Sequence, residues 1–352
     1  MIRLMFPPRH KFFSNRLIIA FIFIMIFFGL PRIYSTSAVV TEILYSLIFL
    51  LGILVSYKLF SDYSIYYLSN VIFYFSIILI ILHASAWIWY PYSYGDLSNY
   101  IGSFPDKFLS STTFLAIIPF LYIRLIKKRS FPSLIVLLMS VLFMFWTFRR
   151  TVLVAFLFGL LFFLFYRKRI RLLMGSALFI LISFIIIPKE YYYEAFQRKI
   201  IIEYEDYLHG NVENVGSGRI AVYLLGWNKY KNANLKEQLI GFGAAQSHEL
   251  AYIIWQKDTY AHGQIIATLY DYGIIGLLFL ILFFYSITKT ALRYKMYNPK
   301  LNGAIIFVIF SSIGITLSNI LIATGGTGLL VAILLGYSST IKLNYENTRN
   351  KL

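Results

Sequence analysis

An all-α polytopic membrane protein of about ten transmembrane helices, with one large extracytoplasmic loop, is the fold class that this 352-residue sequence predicts. Three observations carry the reading. Hydrophobic residues make up 59% of the chain and charged residues only 13%, where a soluble domain carries about 25%. Apolar runs of about 15–24 residues recur, close to the roughly 20 that a helix needs to cross a hydrocarbon core of about 30 Å. Lysine and arginine, which give a net charge of +17, fall in clusters between those runs rather than along one face. Lipid offers no water to unpaired backbone groups, so the runs are expected to be helices.

Taken in order, Arg3, Arg9, Lys11 and Arg16 precede a first apolar segment at 17–30, and a second follows at 39–57. Basic residues mark the cytoplasmic side, so the N-terminus is placed inside. Pro31-Arg32-Ile33 follows the first segment in place of a small-residue cleavage site, and that span is expected to be retained. A third span, 65–83, leads into the aromatic loop Trp87 to Asp96, which reads either as an interfacial belt or as a sugar-stacking surface. Spans at 111–124, 131–147, 151–166 and 172–187 then alternate with the basic clusters Arg124 to Arg129 and Arg167 to Arg171. After the polar stretch 188–264 come spans at 265–287, 302–321 and 324–341. This arrangement puts 20 of the 32 lysines and arginines inside, with only Asp62 and Glu346 as acids among them. The positive charge is therefore a topological surplus, and it gives no support to nucleic-acid binding. One membrane domain, 1–352, is expected to carry a single large outer loop at 188–264, with both termini cytoplasmic.

The chain has no cysteine, which excludes disulfides, thiol nucleophiles and thiolate metal sites. No metal site and no cofactor are expected. Chemistry is expected instead around the outer loop. Arg149 and Arg150 stand on the side where basic residues are normally depleted; they are open to two readings, headgroup anchors or fixed cations for an anionic substrate. Arg219 follows a Gly-Ser-Gly turn that lets the backbone approach a ligand closely. His262 stands where the polar loop becomes the apolar run starting at Ile265, and a helix start there would favour an anion. Nearby arginines would hold the imidazole neutral, the form that accepts a proton from a hydroxyl. Gly241 and Gly243 form a turn. Gly273 and Gly276, three apart, are expected to face the same way and admit a neighbouring helix. Asp271 is left with two readings, orienting a positive partner or capping the membrane end.

Together, Arg149-Arg150-Thr-Val-Leu, Gly-Ser-Gly-Arg219 with Trp227, Gly241-Phe-Gly243, and His262 followed by Gly273 and Gly276 resemble the O-antigen polymerase and ligase superfamily. The resemblance is specific over about 145–285. It departs from the ligase pattern at Gly263, where Asn, Ser or Gln is usual. It implies a bacterial inner-membrane glycosyltransferase that moves a glycan from an undecaprenyl-pyrophosphate donor to a sugar hydroxyl, without metal or nucleotide. Arg150 and Arg219, with Arg149 beside them, would hold the pyrophosphate, and His262 would take the acceptor proton. The expected partners are the lipid-linked oligosaccharide, membrane lipid, a chain-length regulator and a flippase. A polymerase of surface-polysaccharide repeat units is the first reading. The alternatives are a ligase acting on a lipid A core and, in a different class, a lipid-linked oligosaccharide flippase.

Overall fold

The computed structural model describes residues 62–89, 107–146, 150–168, 218–256, 263–293 and 299–318, with short pieces at 44–56, 206–210 and 331–337. Among them the chain is helical, with no strand. In chain order the helices are α1 (Asp62–Trp89), α2 (Lys107–Lys128), α3 (Phe131–Trp146), α4 (Arg150–Tyr166), α5 (Arg219–Lys231), α6 (Leu235–Ile240), α7 (Ser247–Trp255), α8 (Gln264–Arg293) and α9 (Pro299–Ser318). The predicted segments at 65–83, 111–124, 131–147, 151–166, 265–287 and 302–321 are thus each covered by a helix. The segments at 17–30 and 172–187, and most of 39–57 and 324–341, lie outside the described residues.

Two of these helices reach the length expected of a span, and three fall short of it. Ile65–Ser85 and Gln264–Lys289 are each long and apolar enough to cross a membrane, whereas the apolar parts of α3, α4 and α9 are shorter. Helix α1 continues through Trp89, so the first residues of the expected aromatic loop are helical; tryptophan fits a helix end as well as a loop, and hydropathy alone does not separate the two.

Packing divides these helices into a bundle and a cap. Short connections make α2, α3 and α4 antiparallel neighbours. Helix α9 packs most extensively against α4, with the rings of Phe162 and Phe310 stacked 3.7 Å apart and Gly314 backed directly onto Ala155. The main core joins α1, α2, α3, α4 and α9 to the later part of α8, from Leu280 to Ala291. Its outer surface is apolar: Tyr67, Val71, Tyr74, Ile78 and Ile81 run along one exposed stripe of α1, and Leu278, Ile281, Leu282 and Tyr285 along α8. A water-soluble monomer rarely exposes apolar surface on this scale, and these faces suit lipid.

At the pole where α2 turns into α3, Arg124 is buried. Its Nε donates to Ser133 Oγ at 3.1 Å, Nη1 donates to Asn70 Oδ1, and the guanidinium lies 3.7 Å over the Phe73 ring. Because α3 and α4 run antiparallel, the start of α4 lies at the opposite pole.

Candidate functional site

The cap is built from α5, α6, α7 and the first nine residues of α8. A second, smaller core holds it together, formed by Val222, Leu250, Ala267 and Tyr270, with Leu225, Phe242, Ile254 and Trp255 packed around it. The division between the two cores falls at Gly273, where α8 is broken (φ 65°, ψ −165°). A break releases carbonyls from the i→i−4 ladder, and those must be satisfied elsewhere. The turn Gly241-Phe-Gly243 does this: Phe242 N–H donates to Tyr270 O at 2.9 Å and Gly243 N–H to Asp271 O at 3.0 Å. The close approach allowed by Gly273 is thus to the backbone of Leu239, at the end of α6, and of Gly241 just beyond it. Gly276 makes no such approach; a Cβ added there would first meet Tyr272 of its own helix.

Asp271 has a definite task in this arrangement. Only 2% exposed, its carboxylate accepts from Ser247 N–H at 2.6 Å and from Ser247 Oγ at 2.9 Å. It therefore satisfies orphan donors at the start of α7 and opposes the positive end of that helix. This differs from the expected capping of the membrane end of its own span. The cap is placed on α7, within the folded insert.

The functional candidates gather where the cap meets the bundle. Gly218, in the left-handed region at φ 78°, starts α5 and leaves room for the Trp255 indole. Arg219 is the first helical residue, and its Nη1 donates to Thr151 Oγ1 at 3.0 Å. Thr151 follows Arg150, which opens α4. One turn further along α5, the hydroxyl of Tyr223 lies against Gly263, the residue between His262 and the start of α8. Helix α5 therefore links the start of α4, through Arg219, to the start of α8, through Tyr223, across 68 residues of sequence from Thr151 to Arg219 and 112 from Thr151 to Gly263. Each helix start presents free N–H groups and about half a positive charge, and Arg219 adds a full one. An anion is what this geometry can hold.

Arg149, His262 and the side chain of Arg150 lie outside the described residues. What the structure brings together is Arg219 with the residue adjoining Arg150, and Tyr223 with the residue adjoining His262. Gly241 and Gly243 pair with the break at Gly273. Sequence reasoning missed Thr151 and Tyr223; the i, i+4 spacing from Arg219 to Tyr223 was the available signal. It also missed Gln264, 6% exposed, whose Nε2 donates to Thr268 Oγ1 at 3.2 Å while Oε1 has no hydrogen-bond partner among the described residues. Among those residues, no group of three or more histidines and carboxylates is placed to hold a metal ion.

Outward apolar faces around a packed bundle, with a smaller cap joined to it, are those of a membrane protein. Residues 134–281 match the model of the family described as O-antigen ligase. Over this stretch, from α3 through the break in α8, the chain is similar to the O-antigen ligase family. No curated protein matches the chain. The matched stretch contains Arg149, Arg150, Arg219, Gly241, Gly243, His262, Gly273 and Gly276. Enzymatic transfer of glycans is the property of the family as a whole.

Proposed function

We propose that the protein is a polymerase that joins lipid-linked repeat units of a surface polysaccharide. The observation that supports this is Arg219 at the first turn of α5, bonded to Thr151 at the start of α4, with Tyr223 one turn on against the residue before α8, a setting suited to a pyrophosphate. In the proposed reaction the acceptor hydroxyl oxygen attacks the anomeric carbon of the donor glycan. The bond from that carbon to the phosphate oxygen breaks, and its electron pair leaves with undecaprenyl pyrophosphate. His262 accepts the hydroxyl proton, and Arg150 and Arg219, with Arg149 beside them, hold the departing charge. This is a single displacement at carbon, so the anomeric configuration inverts.

Purified protein given only lipid-linked repeat units is expected to produce a ladder of polymer. A ligase would leave the units unjoined until a lipid A core is supplied, and a flippase would leave them unjoined in either case. In the proposed topology ten spans cross a bacterial inner membrane, both termini are cytoplasmic and residues 188–264 lie outside. The charge surplus on one side supports it, and a reporter fused at Asn211 that signals from the cytoplasm would overturn it.

Arg219→Lys is expected to lower transfer by about 10-fold or more. A point charge on a flexible stem keeps the sign but loses the planar fork and the fixed bond to Thr151. Initial rates at saturating acceptor check this, and a lysine variant as active as the parent would remove Arg219 from the pyrophosphate site.

A further inference from the structure

Arg219 and Tyr223 are four residues apart on α5, so their side chains leave the same face of the helix. That face spans the cleft between two helix starts. At one end Arg219 is bonded to Thr151 at the head of α4. At the other, the Tyr223 hydroxyl fills the space that a side chain at position 263 would take, against the backbone that leads into α8. Gly263 has φ 142°, a conformation that L side chains rarely adopt. The glycine and the phenol are therefore matched: only a residue without Cβ lets the hydroxyl sit there.

The chemistry of the phenol fits an anion. Burial pushes the Tyr223 pKa up, and the nearby Arg219 charge only partly opposes that, so the group stays a neutral O–H donor through the neutral range.

We infer that Tyr223 is a further substrate-contacting residue, its hydroxyl donating a hydrogen bond to a phosphate oxygen of the lipid-linked donor between Arg219 and the start of α8. The inference rests on the pyrophosphate reading given above and adds a neutral, directional donor to it. As the glycosyl bond breaks, one further negative charge develops on the leaving pyrophosphate, and a donor already aimed at that oxygen strengthens with it. Two arginines set the charge of the site; the phenol sets where the phosphate lies.

The test is Tyr223→Phe in the full-length protein, with inorganic pyrophosphate as the probe and as an inhibitor of transfer from the lipid-linked donor. The ring is retained, so the melting midpoint in detergent is expected to stay at the parent value. Inhibition by pyrophosphate is expected to weaken by about 10-fold or more, and transfer to slow by a similar factor, the range for losing a hydrogen bond to a charged group. If the parent is inhibited by pyrophosphate and loses that inhibition in Arg219→Ala, but Tyr223→Phe is inhibited equally well, the anion site stands and the role of Tyr223 falls. If pyrophosphate does not inhibit the parent at all, both readings fall. Weakened inhibition accompanied by a lowered melting midpoint would show a packing role for Tyr223 and would also overturn the inference.

Discussion

Replacing His262 with alanine is expected to slow glycan transfer by about 10²–10⁴-fold, the usual contribution of a positioned general base, while donor binding persists. The histidine precedes Gly263, whose backbone lies against Tyr223 on the face of α5 that also carries Arg219. In the proposed reaction only a neutral imidazole takes the proton. Pyrophosphate, in that reading, would be held by groups that the substitution leaves in place. Rate and donor affinity therefore separate in this variant, with the rate falling and the affinity near the parent value. Near-normal turnover would remove His262 from the chemistry. The polymer linkage gives an independent check: NMR of the product against the donor is expected to show inversion. Retention would require a covalent intermediate and a different role for the histidine.

Gly273→Ala is expected to destabilise the protein by about 3 kcal/mol or more and to abolish transfer. Two costs coincide at this position. Its φ and ψ fall in a region that is essentially restricted to glycine. A Cβ there would also run into the Leu239 carbonyl and the Gly241 amide, which belong to backbone and have little freedom to move. Relief requires the Gly241-Phe-Gly243 turn to withdraw, exposing the carbonyls of Tyr270 and Asp271 that it satisfies. Gly210→Ala serves as the control, since Gly210 also has positive φ (76°) but nothing within 4 Å of an added Cβ. It is expected to cost only about 1–2 kcal/mol, from the left-handed conformation alone. Thermal denaturation of the two variants side by side measures the clash, and an equal loss in both would show that the turn yields freely.

The parts of this structure that were legible in the sequence are those encoded locally. Apolar runs located six helices to within a few residues, since a bilayer core demands length and hydropathy that hardly any other context requires. Arg219 was legible because it follows Gly-Ser-Gly, and Gly241 and Gly243 because two glycines flanking one aromatic mark a turn. The break in α8 was not. Glycine between Tyr272 and Ile274 leaves the hydropathy of the run unchanged, and the break persists only because residues 241–243 pair with it from about thirty positions away. The same limit hid Thr151, since nothing near it in sequence tells of Arg219. It also hid the direction of Asp271, whose partner Ser247 lies 24 residues earlier.

The broken helix also fixes a depth. At about 1.5 Å per residue, the 30 residues of α8 would span about 45 Å unbroken, half as much again as a hydrocarbon core of about 30 Å. Counted from Ile274 to Arg293, the later piece is about 30 Å long and matches that core by itself. The earlier piece, from Gln264 to Tyr272, adds about 13 Å, about twice the depth of one layer of lipid headgroups. In the proposed topology Gly273 would mark the waterline: the later piece of α8 would face acyl chains, and the earlier piece, buried with Asp271 in the cap, would rise above them. In the proposed reading, the start of that earlier piece, where Gly263 meets Tyr223, would lie near the level at which a polyprenyl pyrophosphate embedded in the membrane carries its phosphates, so the donor would not need to leave the bilayer to be used.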